Sequence, residues 1–130
     1  MEIILDTNFV ITAEREARRG EQGRADAFLE KHAADVLYLT FTVAGELACG
    51  QSASAKVLWR KLIHPYVILP WVEDISFEYG VLYRELAGLG ALIGTNDLWI
   101  AATARFHGMT LVTDNLNEFK RVDGLALLDF

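Results

Sequence analysis

The stretch Glu2-Ile3-Ile4-Leu5-Asp6-Thr7-Asn8-Phe9-Val10-Ile11 decides how this chain folds. Three large aliphatic residues run without polar interruption into an acid, two more polar residues follow, and the apolar pattern then resumes. A short apolar run bounded in this way reads as a strand buried on both faces. Such strands belong to parallel sheets covered by helices, and ligands of open α/β sheets bind outside the strands' carboxyl ends. Asp6 stands at such an end, and the rest of the chain must show whether it has company.

The remaining segments alternate accordingly. Residues 9–34 place charges at helical spacing with a break at RGEQG, which predicts two helices. Glu14 and Arg18 stand i,i+4 in the favourable order of a solvated face. DVLYLT (35–40) reads as a second strand, and FTVAGELACGQ (41–51) as a short helix capped by Thr42 and ended near Gly50. SASAKVLWRKLIHPY (52–66) reads as a helix stopped by Pro65, with Val57, Leu58, Leu62 and Trp59 turned inward. YVILP (66–70) is a third strand, and residues 74–90 form a long helix with an inner stripe of Ile75, Tyr79, Leu82 and Leu86. NDLWIAATARFHG (96–108) is apolar on most sides and so central, TLVTD (110–114) is a fourth strand, and LALLDF (125–130) a fifth. The order predicts an α/β fold with a mainly parallel five-stranded sheet between helices on both faces, in one domain spanning residues 1–130.

Composition agrees: 52% of the 130 residues are apolar or aromatic and 23% are charged. The one cysteine, Cys49, has no internal disulfide partner, reads as a small buried residue, and suits a reducing cytoplasm. No basic segment precedes the first apolar run and no apolar stretch reaches ~18 residues, so neither a signal peptide nor a membrane span is expected. A net charge of −6 argues against a basic coat for nucleic acid, yet a cluster of metal-binding carboxylates would lower net charge by itself.

Four acids fall where such a topology gathers its strand and helix ends. Asp6 closes the first strand and Asp114 the fourth. Each alone also reads as the start of a turn. Asp97 opens the apolar helix, where an acid favours the macrodipole, while Thr95 or Asn96 stands ready to cap. Glu46 lies in an otherwise apolar helix, one position too late for a capping box begun by Thr42. Carboxylates that converge raise one another's pKa unless a cation neutralises them. Oxygen donors without His or Cys suit Mg²⁺ or Mn²⁺, and the chemistry is then metal-assisted phosphodiester hydrolysis. His32, His64 and His107 fall at helix ends, where structural roles suffice.

In this order, IILDTNFVI, TVAGELACG, LIGTNDLWIAATARFHGMTLVTDNLNEF and VDGLALLDF resemble a PIN domain, and more narrowly the VapC toxins of toxin–antitoxin pairs. The resemblance implies a PIN-like three-layer sandwich and an Mg²⁺- or Mn²⁺-dependent endoribonuclease leaving 5′-phosphate and 3′-hydroxyl ends. It implies Asp6, Glu46, Asp97 and Asp114 as the four acids, with Asp6, Asp97 and Asp114 holding metal and Thr7, Asn8 and Thr113 as their polar neighbours. Many relatives carry Asn at the fourth position, where this chain has Asp114. It further implies an RNA substrate, a VapB-like antitoxin seated in a groove, and a homodimer. VLWRKLIHPYVILPW (57–71) is a candidate for such surfaces, although most of it also reads as core.

For holding RNA, Arg15, Arg18, Arg19 and Arg24 follow the first strand, with Lys56, Arg60 and Lys61 on a later helix. The first group is the better candidate because it follows Asp6 closely, and within it Arg15, Arg18 and Arg19 are expected to contact RNA. A haloacid-dehalogenase-like phosphatase would need an acid where Asn8 stands. A receiver-like module would need an acid closing a middle strand, where DVLYLT and YVILP have none. The remaining alternative is a degenerate PIN domain that binds protein without cleaving RNA.

Overall fold

Ile3, Ile4 and Leu5 are all fully buried. Because successive strand residues point to opposite faces, this strand is covered on both. The computed structural model describes residues 1–130 apart from the side chain of Ser52. The strands are β1 (Glu2–Leu5), β2 (Val36–Thr40), β3 (Val67–Leu69), β4 (Thr110–Val112) and β5 (Leu127–Leu128). They form one sheet in the order β3-β2-β1-β4-β5, every neighbouring pair parallel. The helices are α1 (Thr7–Arg19), α2 (Arg24–Lys31), α3 (Phe41–Ala48), α4 (Lys56–Ile63), α5 (Glu73–Gly88), α6 (Thr95–His107) and α7 (Leu116–Phe119).

From β1 the chain winds outward to β3, then returns across to β4 and β5 on the other side. The direction of winding therefore reverses between β1 and β4, which is the crevice where such sheets bind ligands. Ile3 pairs with Thr110, Ile4 with Leu111 and Leu5 with Val112, so the two strands end level. Asp6 continues the ladder by donating its N–H to the Val112 carbonyl at 3.0 Å.

Ile75, Leu82 and Leu86 of α5 are buried and Tyr79 packs beside them, as the stripe predicts. The α6 segment is central: Leu98 and Ile100 join four buried small residues, Ala101, Ala102, Thr103 and Ala104. Four local expectations change. Thr40, not Thr42, caps α3, accepting the Val43 N–H at 3.1 Å while its hydroxyl meets that of Thr42. Gly94, without a side-chain bond, caps α6, so neither Thr95 nor Asn96 serves. Val57 and Leu58 are exposed on α4, whose Trp59 and Leu62 alone of the expected four pack on the core. Cys49 is exposed, because α3 ends at Ala48 and turns it outward.

Candidate active site at the carboxyl rim of the sheet

Asp6 does two things at the end of β1. It is the N-cap of α1, with Oδ1 accepting the Thr7 N–H at 2.7 Å. Its other oxygen, Oδ2, accepts the Thr113 hydroxyl at 2.7 Å. The β1–β4 register sets this second bond: with Leu5 level with Val112, the residue level with Asp6 is Thr113. Thr113 is itself fixed, because its Oγ1 accepts the Asn115 N–H at 3.0 Å. Burial pushes the Asp6 pKa up, the Thr113 and Thr7 hydrogen bonds pull it down, and the nearby Asp114 and Glu118 charges push it up again. The net direction is upward.

Asp114 lies one residue beyond that level and faces outward from the ladder. Its Oδ2 is 3.0 Å from Nη2 of Arg24. Glu46 approaches from α3. Burial raises its pKa most, the adjacent Thr7 hydroxyl moderates this, and Asp6 adds to it. Even so, Glu46 Oε1 and Thr7 Oγ1 are both buried without completing a hydrogen bond of normal geometry. Asn8 is exposed in the first turn of α1, and among the described residues it bonds none of these acids.

Asp97 enters from the first turn of α6 and is the most perturbed. Its pKa is raised from 3.8 to about 7, by desolvation first and then by Glu118, Asp6 and Glu46, with a hydrogen bond to Glu118 keeping the proton on Asp97. Glu118 pays its own desolvation but stays below the ordinary range. The Gly94 N–H (3.1 Å) and the Asn115 amide (2.6 Å) donate to it, and Asp97 and Arg121 add to the effect. Asp97 thus keeps its proton to higher pH while Glu118 ionises readily, the two acids titrating apart as close neighbours do.

Glu118 is a fifth acid that the sequence reading passed over. Asn115 and Glu118 stand at the spacing of a capping box at the start of α7, which gives the acid an ordinary explanation. The usable signal was its place directly before the buried Phe119, four residues past Asp114. Among the described residues, no three of these acids stand within reach of one ion as the side chains are placed. What the rim offers is an oxygen-only donor set with raised proton affinity and one orphaned carboxylate oxygen.

The arginines divide. Arg15, Arg18 and Arg19 are exposed on α1, which runs away from Asp6. At ~1.5 Å per residue they lie about 14–20 Å along its axis. Arg24 instead returns to the rim. Beside α1, an apolar groove of about 450 Å³ is lined by Val10, Ala13, Leu29, Leu58 and Tyr66, which explains why Leu58 of α4 is left uncovered. No helix among the described residues is long and apolar enough to cross a membrane.

Residues 3–125 match the model of the PIN domain family. Ribonuclease VapC1 of Haemophilus influenzae (strain R2866) is 31% identical over 135 residues, covering 98% of this chain and 96% of that one. Ribonuclease VapC2 of Rickettsia felis is 45% identical over 60 residues, 46% of this chain and 45% of that relative, so the match spans under half of its length. Among solved structures, VapBC2 from Rickettsia felis bound to a promoter DNA fragment superposes with a TM-score of 0.83 at 26% identity, covering 100% of this chain and 99% of that one.

Proposed function

The chain belongs to the PIN domain family, and on that premise we propose that it is a divalent-metal-dependent endoribonuclease, the toxin of a toxin–antitoxin pair. Its site is formed by Asp6, Glu46, Asp97 and Asp114, joined by Glu118. One observation carries this reading. Acids from β1, α3, α6 and the β4–α7 segment meet at the crevice between β1 and β4, where burial and mutual repulsion raise Asp6, Glu46 and Asp97 together. Burying like charges is costly, and a fold keeps them where a cation is to be held.

The donors fit Mg²⁺ or Mn²⁺, being carboxylates and hydroxyls with no imidazole or thiolate among them. Asp6, Asp97 and Asp114 would hold the ion, which when bound supplies charge neutralisation and activation of water for phosphodiester hydrolysis. Thr113 and the Thr7 N–H orient Asp6 through its two oxygens. Glu46, whose Oε1 lacks a partner of its own, would accept a proton from the attacking water. The proton that Asp97 retains has to leave before the full donor set is anionic. The apolar groove beside α1, together with relatives solved as VapBC complexes, supports an antitoxin partner and its seat. The exposed apolar side chains of α4 and of residues 67–72 support a homodimer.

The test is RNA cleavage by the purified chain with Mg²⁺ or Mn²⁺. Asp97→Asn should lower the rate by at least about 100-fold with the circular dichroism spectrum unchanged, as expected for loss of a metal-activating acid. Excess EDTA should abolish cleavage and added metal restore it. Cleavage that persists in EDTA, or in Asp97→Asn, overturns the reading.

A further inference from the structure

Arg24 is held more firmly than an exposed arginine usually is. Its backbone stands between residues whose amides are tied to one buried carboxylate: Glu16 accepts the N–H groups of Gly23 (3.1 Å), Ala25 (3.3 Å) and Asp26 (2.9 Å). A Cβ at position 23 would come within 2.6 Å of the Glu16 carboxyl carbon, so a larger residue there would have to push that carboxylate off the amides it caps. The side chain is equally constrained. Nη2 donates to Asp114 at 3.0 Å, Nη1 reaches the Phe130 carbonyl at 3.4 Å, and the guanidinium lies 4.6 Å from the centre of the Phe130 ring. That ring stands edge-on to Phe9 at 4.8 Å, and Phe9 edge-on to Phe28 at 5.3 Å, so the platform beneath Arg24 is continuous with the core.

For all that anchoring, the Arg24 side chain remains 53% exposed. Exposed ion pairs contribute little to stability. Two N–H groups of the fork are used, and Nε–H with one N–H on each terminal nitrogen has no partner among the described residues. A stacked, planar guanidinium with donors to spare is suited to grip phosphate oxygens. A phosphodiester approaching five acids needs such a cation. Among the described residues, Arg24 is the one lysine or arginine hydrogen-bonded to any of them.

The geometry points to Arg24 as the substrate-binding residue that positions an RNA phosphodiester at the acid site, its fork shared between Asp114 and a non-bridging phosphate oxygen. This rests on the ribonuclease reading and assigns to one residue a task that sequence proximity gave to the group Arg15, Arg18, Arg19 and Arg24. The experiment compares Arg24→Ala and Arg24→Lys in the full chain. Binding of a fluorescein-labelled, mixed-sequence RNA oligonucleotide is followed by anisotropy across a salt series, in an Asp97→Asn background with Mg²⁺. Arg24→Ala should weaken binding about 5- to 20-fold and lower the slope of log K against log salt by about 0.7, one single-strand phosphate contact. Arg24→Lys should keep the slope and recover part of the affinity. With Asp97 intact, Arg24→Ala should raise KM while kcat stays within about threefold. Unchanged affinity and slope with a lowered Tm would make Arg24 a staple for Phe130 and overturn the proposal. Faster cleavage by Arg24→Ala would make it a blocking counter-ion and overturn it equally. If the parent neither binds nor cleaves RNA, the ribonuclease reading itself falls.

Discussion

Asp6 and Glu16 sit at opposite ends of α1 and are equally buried, each at 6% exposure, but the chain treats them in opposite ways. Glu16 accepts three backbone N–H groups and caps α2 from outside that helix. Asp6 accepts one N–H and one hydroxyl and is then crowded by Asp114 and Glu118. One acid is satisfied by donors and the other is surrounded by its own kind. Equal burial therefore says nothing about role, whereas the sign of what surrounds the carboxylate does.

Substitutions break the comparison most directly. Glu16→Ala orphans three amides and should cost about 2–3 kcal/mol in chemical denaturation. A loss below about 0.5 kcal/mol would mean that water replaces the carboxylate and that the cap is incidental. Asp6→Asn should behave oppositely in metal-free protein, leaving stability unchanged or raising it by up to about 1 kcal/mol while cleavage is lost. A strongly destabilised Asp6→Asn would place Asp6 with Glu16 as a structural acid.

Titration sharpens the contrast. Asp97 keeps its proton to about pH 7 when folded but releases it near 3.8 when unfolded. Between those values the native state binds the extra proton, so this group's contribution to stability falls as pH rises from about 4 to about 7, then levels off. Thermal melts in EDTA should show Tm declining over that window, with Asp97→Asn flattening the profile. A wild-type Tm that climbs through it contradicts the crowded-acid picture. The smallest effect is expected for neutralising Arg15, Arg18 and Arg19 together. Standing well along α1 from Asp6, they should reduce the salt dependence of RNA binding without altering kcat. A loss of turnover in that triple variant would bring them to the rim after all.

The strands, the six longer helices and their order were legible because apolar runs and helical stripes carry that information locally, whereas the four-residue α7 is too short to show a stripe. The acids at the ends of β1 and α6 were legible for the same reason, since element ends can be read in sequence and parallel topology collects them. Glu118 hid behind Asn115 because a capping box uses the same residue types at the same spacing. The cap of α3 was misplaced because Thr40 and Thr42 are chemically interchangeable, and only the backbone turning at Thr40 separates them. Arg24 was grouped with its sequence neighbours on α1. The turn that carries it back to the rim depends on Glu16 reaching over to Gly23, a contact between residues whose types announce nothing.

The pairing of β1 with β4 also dates the proposed site within the synthesis of the chain. The hydrogen bond from Thr113 to Asp6 spans 107 residues. Until residues 110–112 are made, β1 has β2 as its one partner and an open edge on the other side. A nascent chain arrested before that point already carries Asp6, Glu46 and Asp97, but not Thr113, Asp114 or Glu118, and has no crevice between β1 and β4. Unfinished copies on the ribosome therefore lack the β4 wall of the proposed site.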